Sequence, residues 1–199
     1  MSEQITNSLP VNYVVGVGAS AGGLEAINEL FDSMPANTGF SFVLVQHLSP
    51  DHKSLMGDLL SKHTDMQVVE AEEAMLVRPN SIYLIPTAKT MTLKNGKLRL
   101  EPKLRDHQPN NAIDIFFESL SADQGEKAVG IILSGTGTDG TKGIQSIKAK
   151  GGTVFIQDPA TAQFDGMPNS AISSGYIDLI LSPDMMAEEL GNISGKPLF

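Results

Sequence analysis

The sequence contains no cysteine. That absence removes disulfides, thiolate nucleophiles and cysteine-held zinc or iron–sulfur sites together, and it fits a reducing compartment. Charge is sparse: Asp, Glu, Lys and Arg make up 19% of the residues, against about 25% in average soluble domains. Positive charge is the scarcer sign, with 14 Lys and Arg against 23 Asp and Glu and a formal net charge of −9. No basic block offsets this locally, which argues against a partner held by its phosphate backbone and so against nucleic acid. No apolar run approaches the ~20 residues of a membrane span. Residues 1–10 have neither the basic nor the apolar part of a signal peptide. The expectation is a cytoplasmic protein without membrane insertion. Hydrophobic residues make up 41% of the 199, enough for a normal core and too many for a disordered chain. The length suits one domain over 1–199, with its core over about 12–190.

Short runs that are apolar throughout alternate with segments of helical spacing. Strands are expected at 13–17, 41–46, 68–69, 82–85, 91–94, 97–100, 127–133, 153–156 and 177–181. Helices are expected at 22–34, 53–63, 112–121, 141–150, 167–174 and 183–190, and the stretch 101–112, with Pro102 and Pro109, reads as irregular. Strands without alternation belong to a parallel sheet buried on both faces. The fold class is therefore α/β, a doubly wound, mostly parallel sheet with helices on both faces. Asn95-Gly96 is a type I′ turn signal, which adds an antiparallel hairpin at one edge.

In such folds a site lies beyond the carboxyl ends of the strands, and three loops there carry unusual residues. Gly18-Ala19-Ser20-Ala21-Gly22 fits Gly-x-Ser-x-Gly between a strand and a helix. A sharp turn of that kind lifts a serine hydroxyl clear of the sheet, beside unpaired N–H groups that could receive an oxyanion. Two other readings compete: a loosened dinucleotide fingerprint, Gly16-x-Gly18-x-x-x-Gly22, and a plain helix cap by Ser20. The fingerprint expects an acidic residue at the end of the second strand, where Gln46-His47 stands. His47 there could take the Ser20 proton. His47 and His52 flank Asp51 without a third ligand at a recognisable spacing, so no metal is expected. Asp139, in Ser134-Gly-Thr-Gly-Thr-Asp139-Gly140, could orient an imidazole or could cap a helix. The chain order Ser20, His47, Asp139 differs from that of α/β-hydrolases, whose histidine comes last.

These residues resemble the catalytic domain of the chemotaxis protein-glutamate methylesterases, the CheB family. The matching segments are Val17 to Gly23, Gln46-His47-Leu48, Leu133 to Gly140, and Gly166-Met167-Pro168 with Ala171-Ile172. The resemblance implies a Ser20–His47–Asp139 triad, with backbone N–H groups of Ala21 and Thr136 as oxyanion donors and no cofactor or metal. Ala21 stands where many members have Thr, and Thr136 where they have Met; a backbone N–H role survives both changes. The implied reaction is hydrolysis of γ-glutamyl methyl esters on a methylated chemoreceptor or related signalling protein, with glutamine deamidation as a second activity of the family. With about ten residues before the first strand, the family's usual receiver domain is not expected in this chain, and the Gly-Ala-Ser-Ala-Gly-Gly form resembles versions fused to methyltransferase and sensor domains. The alternative is a noncatalytic signalling module of the same fold within a larger sensor protein.

Overall fold

A computed structural model describes residues 13–46, 55–103 and 111–194. In chain order the elements are β1 (Val14–Ala19), α1 (Gly23–Asp32), β2 (Ser41–Gln46), α2 (Met56–Leu60), β3 (Gln67–Glu70), β4 (Ser81–Leu84), β5 (Lys89–Lys94), β6 (Lys97–Pro102) and α3 (Ala112–Gln124). A single 3-10 turn (Gly125–Lys127) leads into β7 (Ala128–Ile132), α4 (Thr141–Ala149), β8 (Thr153–Gln157), α5 (Gly166–Ser174), β9 (Leu179–Leu181) and α6 (Pro183–Ser194).

Seven strands form one sheet in the order β3-β4-β2-β1-β7-β8-β9, all neighbours parallel. The central strands β1 and β7 are buried at every residue, as unbroken apolar runs require when both faces are covered. One core lies under Ile27, Leu30 and Phe31 of α1, with Leu60 of α2 and Met186 and Leu190 of α6. The other lies under Ile113, Phe116 and Phe117 of α3, Ile144 and Ile147 of α4, and Ala171 of α5. From β1 the chain runs outward through α1 to β2, and from β7 it runs the opposite way through α4 to β8. The point between β1 and β7 is thus the topological switch of the sheet, where a crevice opens beyond the strand ends.

The spacing Gly16-x-Gly18 has a packing cause. A methyl group at Gly16 would lie 2.8 Å from Cε1 of Phe117, and one at Gly18 would lie 2.5 Å from Cγ2 of Ile113. Both glycines sit inside β1 and let α3 approach the sheet. They do not form a loop around a pyrophosphate, so the dinucleotide reading has no structural counterpart.

The turn at Asn95-Gly96 has φ of 52° and 68°, the double positive φ of a type I′ turn. The hairpin β5–β6 is a two-stranded sheet of its own, whereas the sequence places it at an edge. Leu93 N–H donates to Ser119 Oγ of α3 at 3.0 Å, and the Asp123 carboxylate of α3 accepts the N–H groups of Asn95 and Gly96. The free side of β6 meets the segment 74–77, with Leu98 N–H donating to Met75 O at 2.8 Å and Val77 N–H to Gly96 O at 2.9 Å.

Candidate functional site

Ser20 follows β1 directly. Its N–H donates to Ser134 O at 3.0 Å, and its carbonyl accepts Gly23 N–H at 2.9 Å. Gly22 adopts φ 68° as the N-cap of α1 and makes no side-chain cap. A side chain there would be strained, and its Cβ would meet Gln163 at 2.7 Å and Ser134 Oγ at 2.8 Å. The cap position thus belongs to Gly22, and the plain-cap reading of Ser20 falls away.

The glycine loop leaves β7 on the adjacent strand end. Leu133 N–H donates to Gly18 O at 2.9 Å, and Ser134 is fully buried. The segment after β8 clamps the loop: Gly135 N–H donates to Phe164 O, and Met167 N–H to Gly135 O, both at 2.9 Å. A methyl group at Gly135 would fall 2.2 Å from Met167 Sδ and 3.0 Å from Ser20 Cβ. Only a glycine lets Ser20 rest against this loop. Among the described residues, the N–H groups of Ala21 and Thr136 donate to no protein acceptor.

Asp139 is buried, with 8% of its surface exposed. Its carboxylate accepts Ile113 N–H at 3.0 Å and Asp114 N–H at 2.9 Å. It caps α3, not the helix that follows it, and the N-cap of α4 is Gly140 at φ 96°. Asp114 returns the contact, its Oδ1 accepting Gly143 N–H in the first turn of α4 at 2.8 Å. Each helix start is therefore capped by an acid carried on the other helix or its leader, which also suits both helix dipoles.

This exchange has an electrostatic consequence. Burial raises the Asp114 carboxyl above its usual range; the Gly143 N–H opposes that, and the neighbouring Asp139 charge adds to the rise. The folded chain therefore holds the Asp114 proton to higher pH than the unfolded chain does. Between the ordinary value of 3.8 and the raised one, stability falls as pH rises. Asp114→Asn removes that titration and keeps an oxygen for Gly143. The melting temperature of Asp114→Asn minus that of wild type should be more positive at pH 7 than near pH 3.5. Calorimetry at the two pH values checks it; a constant difference would contradict the account.

Gln46, the last residue of β2, pairs in register with Ala19, the residue before Ser20. His47 itself lies outside the described residues, as do Leu48, Asp51, His52 and His107. Ser20, Ala21, Thr136 and Asp139 lie in the loops beyond the carboxyl ends of β1 and β7. Asp114 was not singled out from sequence, although an acid in the first turn of a helix is a known signal. In the sequence Ser134 stands out only as the first residue of the glycine loop. Among the described residues, no group of three or more His, Asp or Glu could hold a metal, and no helix is long and apolar enough to cross a membrane.

The fold is that of a doubly wound α/β protein, and a serine after β1 set against a glycine loop with a buried acid after β7 makes the switch point its candidate site. Residues 15–190 match the family model described as CheB methylesterase. The chain belongs to the CheB methylesterase family. The CheB methylesterase catalytic domain of Thermotoga maritima superposes with a TM-score of 0.83 at 29% identity, covering 92% of this chain and 98% of that one. A putative protein-glutamate methylesterase/protein-glutamine glutaminase of Leptospira interrogans is 31% identical over 182 residues, 89% of this chain and 93% of the relative. The chain spans about half the length of the Xanthomonas oryzae protein-glutamate methylesterase/protein-glutamine glutaminase 2, at 32% identity over 187 residues and 52% of that protein. It matches 13% of an uncharacterized 104.1 kDa protein of Rhodobacter capsulatus, at 48% identity over 126 residues.

Proposed function

We propose that the chain is a protein-glutamate methylesterase, a single catalytic domain acting in the cytoplasm on γ-methyl esters of a chemoreceptor-type protein. The observation that carries the reading is the seat of Ser20. It stands at the switch point against Gly135, and the backbone N–H groups of Ala21 and Thr136, one in each of the two loops, have no acceptor among the described residues. The names of the Leptospira and Xanthomonas relatives support the reaction.

His47 takes the Ser20 hydroxyl proton as Oγ attacks the γ-carbonyl carbon of the ester. The carbonyl oxygen becomes an oxyanion facing the N–H groups of Ala21 and Thr136. Its collapse breaks the bond to the methoxy oxygen, His47 returns the proton, and methanol leaves. Water then repeats the sequence on the acyl-serine, releasing a glutamate carboxylate and restoring Ser20. Asp139 orients His47 and stabilises its cation, while its contacts with Ile113 and Asp114 hold the carboxylate in place. Glutamine deamidation follows the same steps with ammonia as the leaving group. All of these groups come from the protein, so the reaction draws on no metal or cofactor. The substrate is a receptor protein, presented directly or through fused methyltransferase and sensor domains.

Incubation with a receptor segment bearing γ-methyl glutamate should release methanol catalytically and leave glutamate at the same position. A folded chain that binds the segment and releases no methanol would instead support a noncatalytic signalling module.

A further inference from the structure

Ser134 has no role in the reaction above, yet its polar groups are tied to both sides of the site. Its N–H donates to Oε1 of Gln157 at 2.8 Å, and its carbonyl accepts the N–H of Ser20 at 3.0 Å. Its hydroxyl accepts Phe164 N–H at 3.0 Å. That hydroxyl has a single proton; Ala21 O at 2.8 Å is a nearer acceptor for it than Phe164 O at 3.3 Å. Gln157 is itself 1% exposed and is anchored through Nε2 to Thr161 Oγ1 at 3.2 Å. A buried polar chain thus runs from the end of β8 to the turn that carries Ser20.

The turn needs such an anchor. Gly22, at φ 68°, is the least restricted residue the backbone can have there. Its peptide link to Ala21 can rotate unless one of its ends is held. Ser20 N–H and Ser20 O are held by backbone partners, whereas the hydrogen bond to Ala21 O comes from a side chain. With all three fixed, the direction of Ala21 N–H is fixed too, and so is the start of α1.

We infer that Ser134 is a positioning residue of the serine turn: its buried hydroxyl, by pinning Ala21 O on one side and Phe164 N–H on the other, aims Ala21 N–H and Ser20 Oγ at the reacting carbonyl. The inference rests on the reading of Ser20 as nucleophile. Misplacement of reacting groups by about 1 Å can reduce turnover about 100-fold, and the loss falls on kcat because the hydroxyl does not touch substrate.

The test compares wild type, Ser134→Ala, Ser134→Thr and Ser20→Ala in full chain, with melting curves and assays run well below each midpoint. The substrate is the γ-methyl-esterified receptor segment, and the rate of Ser20 labelling by a fluorophosphonate is read in parallel. Ser134→Ala should lose about 10- to 100-fold in kcat and in labelling rate, with KM within about twofold. Ser134→Thr, which keeps the hydroxyl, should recover most of both. Should Ser134→Ala not fold, Ser134→Cys takes its place, a similar shape with a much weaker donor. Wild-type kcat and labelling in a folded Ser134→Ala or Ser134→Cys would overturn the inference, as would a change confined to KM or no recovery in a folded Ser134→Thr. Turnover retained in Ser20→Ala would overturn the nucleophile reading instead.

Discussion

Ser20→Ala should lower kcat for methanol release by about 10⁴- to 10⁶-fold, the range lost when the nucleophile of a serine triad is removed. It should do so at almost no cost in stability. The Ser20 backbone is held through its N–H and carbonyl, both of which alanine keeps, and no helix N–H depends on its hydroxyl among the described residues. The melting temperature should stay within about 2 °C of wild type, a change of less than about 1 kcal/mol for a chain of this size. Steady-state assays and calorimetry on the same preparation check both halves. Turnover within about 100-fold of wild type in a folded Ser20→Ala would contradict the assignment.

Asp139→Ala should behave differently, because Asp139 has two roles. As orienter of the base, its loss should reduce kcat by about 10⁴-fold by analogy with serine proteases. As the cap of α3, its loss strips the acceptors from Ile113 N–H and Asp114 N–H. An unsatisfied buried donor costs about 1–3 kcal/mol. Two of them amount to about 2–6 kcal/mol and a fall in melting temperature of about 5–15 °C. Asp139→Asn should lie between, since one oxygen remains while the amide N–H₂ faces a backbone N–H. A bare triad analogy expects the asparagine variant to keep wild-type stability; the α3 cap removes that expectation. An Asp139→Ala chain as stable as wild type would show that the cap carries no weight.

The parts legible in the sequence were those set by local pattern. Unbroken apolar runs such as Phe42 to Val45 within SFVLVQ announced buried parallel strands, and Asn95-Gly96 announced its own turn. The hairpin's place was not legible, because its contacts with Ser119 and Asp123 come from a helix more than 20 residues away in the chain. Gly16 and Gly18 were ambiguous for the same reason: the residues that need their missing side chains, Phe117 and Ile113, lie about a hundred positions on. Asp139 was recognised as an acid near the site, yet its partner helix was not foreseen. A carboxylate before a helix ordinarily caps that helix, and here Gly140 does so at a φ that favours glycine. The serine turn was legible because strand, glycines and helix are contiguous in it, and the buried position of Ser134 beneath it was not.

The most direct test of the central claim is peptide mass analysis of the chain after inactivation by a fluorophosphonate, with methanol release followed in the same samples. The account predicts one phosphonyl group per chain, on Ser20, with activity falling in proportion to labelling. Inactivation with the label on another residue, or full methanol release from a chain fully labelled at Ser20, would contradict it.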